Sequence, residues 1–210
     1  MPFAPSFGFV AASEQAAAAW QPAQLKPVTS PGYGQDPNLL HPAPTPWPLT
    51  LSVPELALLS VLSDILIPAE GKAPSASAAG IPEVLDEWVS APYPSQQNHR
   101  VLIVSGLDWC DREAVRRFAR PFVSAGINDQ VAIVDDIAFP ERVNRPDLDQ
   151  PIVFFDLLRR LVTGMYYSSI EGSLELGYLG NVPIHSDYPG PSTEAMAHLK
   201  EQLTILGLNL

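Results

Sequence analysis

Asp149-Gln-Pro-Ile-Val-Phe-Phe-Asp-Leu-Leu-Arg-Arg-Leu-Val-Thr-Gly-Met-Tyr-Tyr167 is the stretch that decides the fold. Asp149 stands where a helix cap belongs, and proline is tolerated in the first turn that follows. Phe154, Leu157, Leu158, Leu161, Val162 and Met165 then recur at helical spacing and cover a broad face. A helix apolar over that much of its circumference belongs at the centre of a bundle, so the segment from about 150 to 167 is expected to be the one on which the other helices pack.

Working back from it, the loop Phe139 to Gln150 follows a helix that Asn128 caps and that runs to about residue 138. That helix sets Val131, Val134 and Ile137 on one side and Asp129, Asp135 and Asp136 on the other. Residues 96 to 120 form the longest periodic stretch, with Val104, Leu107, Cys110, Ala114 and Phe118 as one apolar stripe and Pro121 closing it. Its basic run, Arg112, Arg116, Arg117 and Arg120, interleaves with Asp108, Asp111 and Glu113, which reads as a solvated helix face. Pro82 opens a short helix carrying Val84, Leu85, Trp88 and Val89. Ser52-Val-Pro-Glu55 has the form of a capping box, and the helix it starts ends before Pro68. Beyond the central helix, glycines and prolines break the chain, and the spacing of Gly172 and Gly177 makes a helix around Glu171 and Glu175 doubtful. A last helix spans about Ser192 to Ile205. The class is all-α, a compact helical domain over residues 51–210.

Residues 1–50 differ in kind. They hold ten of the 23 prolines and three charged residues, Glu14, Lys26 and Asp36. The run His41-Pro-Ala-Pro-Thr-Pro-Trp-Pro48 favours extended polyproline II. Phe3, Phe7, Phe9, Trp20, Tyr33 and Trp47 make it unusually aromatic for a disordered tail. A long, proline-rich extended N-terminal arm that wraps a partner and a free linker both fit this composition.

Several functions are excluded or disfavoured. The net charge of −11 argues against a nucleic-acid partner. No apolar run is long enough to span a bilayer directly. The first Lys or Arg is Lys26, so no positively charged export leader is visible. A glycine fingerprint for dinucleotides, a Walker motif, H-E-x-x-H and C-x-x-C-H are all missing, which leaves no cofactor or metal expected in this chain. The lone Cys110 builds no intramolecular disulfide; a buried thiol and a bond to a partner subunit both remain open. The carboxylate pair Asp135–Asp136 reads as surface charge, and Glu171 and Glu175 are spaced for one face of a doubtful helix.

Five short stretches in fixed order carry a resemblance: Leu62-Ser-Asp-Ile-Leu-Ile-Pro-Ala-Glu70, Ala79-Gly-Ile-Pro-Glu-Val-Leu-Asp-Glu-Trp88, Phe154 to Tyr167, Leu176-Gly-Tyr-Leu-Gly-Asn181 and Asp187-Tyr-Pro-Gly-Pro191. Together, over roughly residues 50 to 205, the chain resembles the gluconate 2-dehydrogenase subunit 3 family, the small subunits of sugar dehydrogenase complexes. The resemblance implies a non-catalytic small subunit that supports assembly, stability or export of a large glucose–methanol–choline type flavoprotein. That partner holds the FAD and oxidises a sugar, polyol or glucoside. A cytochrome c subunit with haem c often completes such complexes, and their usual compartment is the periplasm; with no leader visible here, the cytoplasm is the alternative. The candidate partner-binding residues are Trp47, Tyr166, Tyr167, Tyr178, Asn181 and Tyr188, because tyrosine and tryptophan offer large contact area with a polar tip. Inward packing of the same tyrosines fits equally. The alternative from another class is an independent small enzyme with a pocket around His185, Asp187 and Tyr188.

Overall fold

The structure is a computed structural model and describes residues 16–30, 47–139, 145–178, 180 and 190–208. Regular structure among these residues is helical, apart from one isolated bridge between Glu70 and Ala73. The chain divides into two units, one ending at Gly177 and the other starting at Tyr178. The first holds α1 (Val53–Leu66), α2 (Ile81–Ser90), α3 (Pro94–Phe118), α4 (Ile127–Ala138), α5 (Asp149–Ser168) and the short α6 (Ile170–Glu175). The second holds α7 (Thr193–Ile205), whose N-cap Ser192 accepts a hydrogen bond from Ala195 N at 3.2 Å.

The central helix is where its sequence places it, although Leu148 caps it and Asp149 is its first residue. α5 packs against α1, α2, α3, α4 and α6. Phe154, Leu158, Val162 and Tyr166 are fully enclosed, each stabilising the fold by roughly 1.5–3 kcal/mol through removal from water. α3 reaches α5 closely because residue 106 has no side chain. The Phe154 ring lies on Gly106, and a Cβ there would stand 2.5 Å from Cδ1 of the ring and nearer still to Cγ and Cδ2. α1 begins as expected: Glu55 Oε2 accepts from the Ser52 amide at 2.7 Å and its hydroxyl at 2.6 Å. Asp86 ties the entry to α1 onto α2 by accepting from Leu51 N at 3.1 Å and Ser90 Oγ at 3.0 Å.

Four local expectations are corrected. α3 ends at Phe118, where Ala119 turns left-handed at φ 55°, before Pro121 can stop it. α4 is capped by Gly126, so Asn128 is inside the helix. α6 forms despite Gly172, because that glycine lets the helix pass against the carbonyl of Tyr166 where a Cβ would collide. The charged run on α3 is also no plain solvated face. Glu113 is completely buried, and it pairs with Arg116 at 2.7 Å and Arg117 at 2.6 Å, while Arg117 also reaches Asp136 at 2.6 Å. Burial alone would push the Glu113 carboxyl up; the Arg116 and Ala18 hydrogen bonds and the Arg117 charge outweigh it and hold the group below its ordinary value.

Glu113 is buried because an N-terminal strap covers it. Residues 16–30 run along α3, antiparallel to it, with no regular secondary structure. Ala18 N donates to Glu113 at 2.8 Å, Ala23 N to Ser105 Oγ at 2.8 Å and Val28 N to Gln97 Oε1 at 3.1 Å. Five-residue steps on the strap thus meet eight-residue steps on the helix. Five residues of polyproline II span about 15 Å and eight of α-helix about 12 Å, so a slightly slackened strap keeps step. In the other direction, Trp109 Nε1 donates to Ala18 O at 2.8 Å, Arg112 to Ala19 O at 2.7 Å and Arg100 to Lys26 O at 2.9 Å. Asp147 takes the Ala17 amide at 2.8 Å.

Candidate functional site

An apolar groove of about 570 Å³ lies on the first unit, between α2 and the second half of α5. Ala79, Ile81, Val84 and Trp88 line one wall; Leu161, Gly164 and Met165 line the other, with Arg160 at the rim. The first wall is the stretch Ala79–Trp88 and the second belongs to Phe154–Tyr167. Two of the five stretches that carry the family resemblance therefore converge on one groove, although they are some 70 residues apart in the chain.

Local sequence explains the opening. Pro82 in the first turn fixes the start of α2, whose buried side carries Ile81, Leu85 and Val89 and leaves Val84 and Trp88 outward and exposed. Gly164 interrupts the apolar face of α5 where a Cβ would meet nothing within 4 Å, so the missing side chain leaves a hollow. Trp88 is held from behind: its Nε1 donates to His99 Nδ1 at 3.1 Å, the two ring planes lying 19° apart. Burial and the nearby Arg160 charge both lower the His99 pKa from its ordinary value, which keeps Nδ1 free to accept. A tryptophan fixed this way presents its face with little rotamer entropy left to lose.

The candidate residues fall in several places. Trp47 is nearly buried; its Nε1 donates to Glu87 O at 2.8 Å and its ring meets Tyr93 edge-on at 5.9 Å. Tyr166 is fully buried, with its hydroxyl donating to Pro74 O at 2.8 Å. Tyr167 packs partly buried, edge-on to Tyr166 at 5.2 Å. Tyr178 is 65% exposed. Asn181 and Tyr188 lie outside the described residues, as do His185 and Asp187 of the small-enzyme alternative. Cys110 is buried in the core, and burial pushes its thiol up, which leaves it no route to a partner's sulfur in this fold. Sequence reasoning placed Trp88 only as an apolar helix position and gave Gly164 and Met165 no site role. The signal was Gly164: a glycine inside a strongly apolar helix costs about 1 kcal/mol against alanine, so its presence points to a packing or functional reason.

Among the described residues no group of three or more His, Cys, Asp or Glu side chains is set to hold a metal ion, and no helix is long and apolar enough to cross a membrane. The first unit is thus a helical bundle with an apolar groove and a fixed tryptophan at its edge. Residues 54–190 match the gluconate 2-dehydrogenase subunit 3 family, and the chain belongs to that family. It is a non-catalytic small subunit of a sugar dehydrogenase. Searches of curated proteins and of solved structures return no match.

Proposed function

We propose that the chain is the docking companion of a glucose–methanol–choline type flavoprotein, and that the groove between α2 and α5 receives a segment of that catalytic subunit. The observation that carries this reading is the convergence of two family-bearing stretches on a single apolar hollow with a rigid tryptophan at its edge. Contacts of this kind, an aromatic anchor beside a desolvated pocket, supply most of the energy of protein interfaces. Tyr178, exposed at the start of the second unit, and Asn181 and Tyr188 beyond it, are further contact residues in this reading. The FAD belongs to the partner, and a cytochrome c subunit with haem c completes the complex. By the family's usual compartment we place the complex in the periplasm, with the described part of the N-terminal arm, residues 16–30, laid along α3 of the helical domain of residues 51–210.

The test is a titration of the catalytic subunit with Gly164→Leu. A leucine at 164 points into open space and favours the helix, so the free chain should melt no lower than the parent. It also fills the hollow, so association should weaken at least tenfold, about 1.4 kcal/mol. Unchanged affinity with a folded variant would remove the groove from the interface. Failure of the parent chain to bind any flavoprotein of this type would remove the companion reading itself.

A further inference from the structure

A second groove, of about 580 Å³, lies between the start of α1, the middle of α3 and the turn at residues 122–124. Its floor is apolar, with Leu58, Leu107 and Val123 facing it. Its rim carries Glu55, Asp108 and Asp111, and among the described residues no lysine or arginine lines it. Each carboxylate spends one oxygen on the fold. Glu55 Oε2 caps α1 through Ser52, Asp108 Oδ2 takes Arg112 Nε at 2.8 Å, and Asp111 Oδ1 takes the Phe122 amide at 2.8 Å. The second oxygens, Glu55 Oε1, Asp108 Oδ1 and Asp111 Oδ2, accept no hydrogen bond from any described residue. Even with Arg112 counted, three negative charges face one positive charge around an apolar floor.

That combination selects its occupant. A nucleic acid or an anionic lipid surface is repelled by the rim. A bare metal ion gains nothing from leucine and valine, and its oxygen ligands would have to converge where the floor is apolar. Lysine and arginine side chains satisfy both requirements: their methylene stems lie along apolar surface while their charged heads stay at the polar edge, where free carboxylate oxygens accept their protons. The volume suits several side chains, within the range of small-molecule and peptide pockets. We propose that this groove binds a polypeptide segment that carries a lysine or arginine between apolar side chains. The site is distinct from the groove between α2 and α5, and it is tested on this chain alone, so its outcome does not depend on the companion reading.

The probe is a capped pentapeptide with one arginine flanked by leucines, titrated into the full chain and followed by amide chemical shifts. Shifts are expected at Leu58, Leu107 and Val123. The arginine peptide should bind roughly fivefold tighter than the same peptide with glutamine at ~20 mM salt, and this advantage should fall to within about twofold at ~0.5 M salt, where exposed charges are screened. Asp108→Lys should remove the advantage altogether. Asp108 is 54% exposed and its side chain is bonded, among the described residues, only to Arg112, so the substitution should leave the melt close to the parent's. Should Asp108→Lys fail to fold, the salt series on the parent chain and Asp108→Asn carry the same comparison. Equal binding of the two peptides, equal binding of free arginine, or no shift in the groove at ~5 mM peptide would each overturn the proposal, since its charge, polypeptide and location elements are each required.

Discussion

Replacing Gly106 with alanine sets two effects of opposite sign against each other. Gly106 sits in the middle of α3, where alanine is favoured over glycine by about 1 kcal/mol from helix propensity alone. Were the position open, the variant would melt higher. It is not open. The new Cβ would lie 2.5 Å or less from three atoms of the Phe154 ring, whereas carbon atoms rest about 3.5–4.0 Å apart. The ring therefore has to recede by about 1 Å or more, and Phe154 is completely enclosed by the core. Overpacking of this sort costs about 1–3 kcal/mol, and the rigid surroundings put this site at the upper end. The net is a loss of about 2 kcal/mol, or about 4–8 °C in melting temperature for a unit of this size. Differential scanning calorimetry of the two chains gives the answer. The double variant Gly106→Ala, Phe154→Leu should recover part of the loss, with a coupling of at least about 1 kcal/mol. A melting temperature equal to or above the parent's would refute the close approach of α3 and α5 as described.

Gly164→Ala is the matching control, since its Cβ meets nothing, and it should stabilise the free chain by about 0.5–1 kcal/mol on a thermal melt. Trp109→Phe takes away the donor to Ala18 O and should cost about 1–2 kcal/mol while making residues 16–30 more susceptible to protease. Glu113→Gln breaks a buried pair with two partly exposed arginines and should destabilise by about 2–3 kcal/mol at neutral pH. Because the folded pKa of Glu113 is lowered from 4.5, its contribution is present above that value and is lost as pH falls through the folded value; the gap between parent and variant should close over that acidic range in pH-dependent denaturant melts. For His99, lowered from 6.5, acidification below that value protonates Nδ1 and breaks the bond from Trp88, so the emission of Trp88 should change in that range and His99→Phe should abolish the change.

The helices were legible because their signals are local. The Ser52–Glu55 box, Pro82 at the head of α2 and the six-residue apolar face of α5 each contain their own reason, and α5 does touch every other helix of its unit. What sequence could not give were facts made by neighbours distant in the chain. Glu113 looks like any surface glutamate among arginines until Ala18 is laid over it. Gly172 looks like a helix breaker until the carbonyl of Tyr166 is placed beside it. Trp47 and Tyr166 have the composition of interface residues, yet their polar tips find Glu87 O and Pro74 O within the same chain. The groove between α2 and α5 was half legible: its two walls were marked as meaningful stretches, but their meeting is a matter of how α2 crosses α5.

The strap along α3 is held by its peptide groups. Every hydrogen bond described above for residues 17–28 uses an amide or a carbonyl of the strap, and the side chains that make these bonds all belong to the body of the protein. Apart from Ala17, Ala18 and Trp20, which pack against the core, such a segment is largely indifferent to its own spelling. Residues 17, 18, 23 and 28 need an N–H, so proline is barred there, and Pro22 and Pro27 fall just before two of those positions. Most other substitutions would leave the bonding intact. Selection would then act on Gln97, Ser105, Trp109, Arg112 and Glu113, and on Ala17, Ala18 and Trp20, and leave the rest of the strap free to drift. The family match covers residues 54–190, and the strap lies before it in the chain. In related chains the strap would be traced more surely by those receiving positions on the long helix than by its own letters.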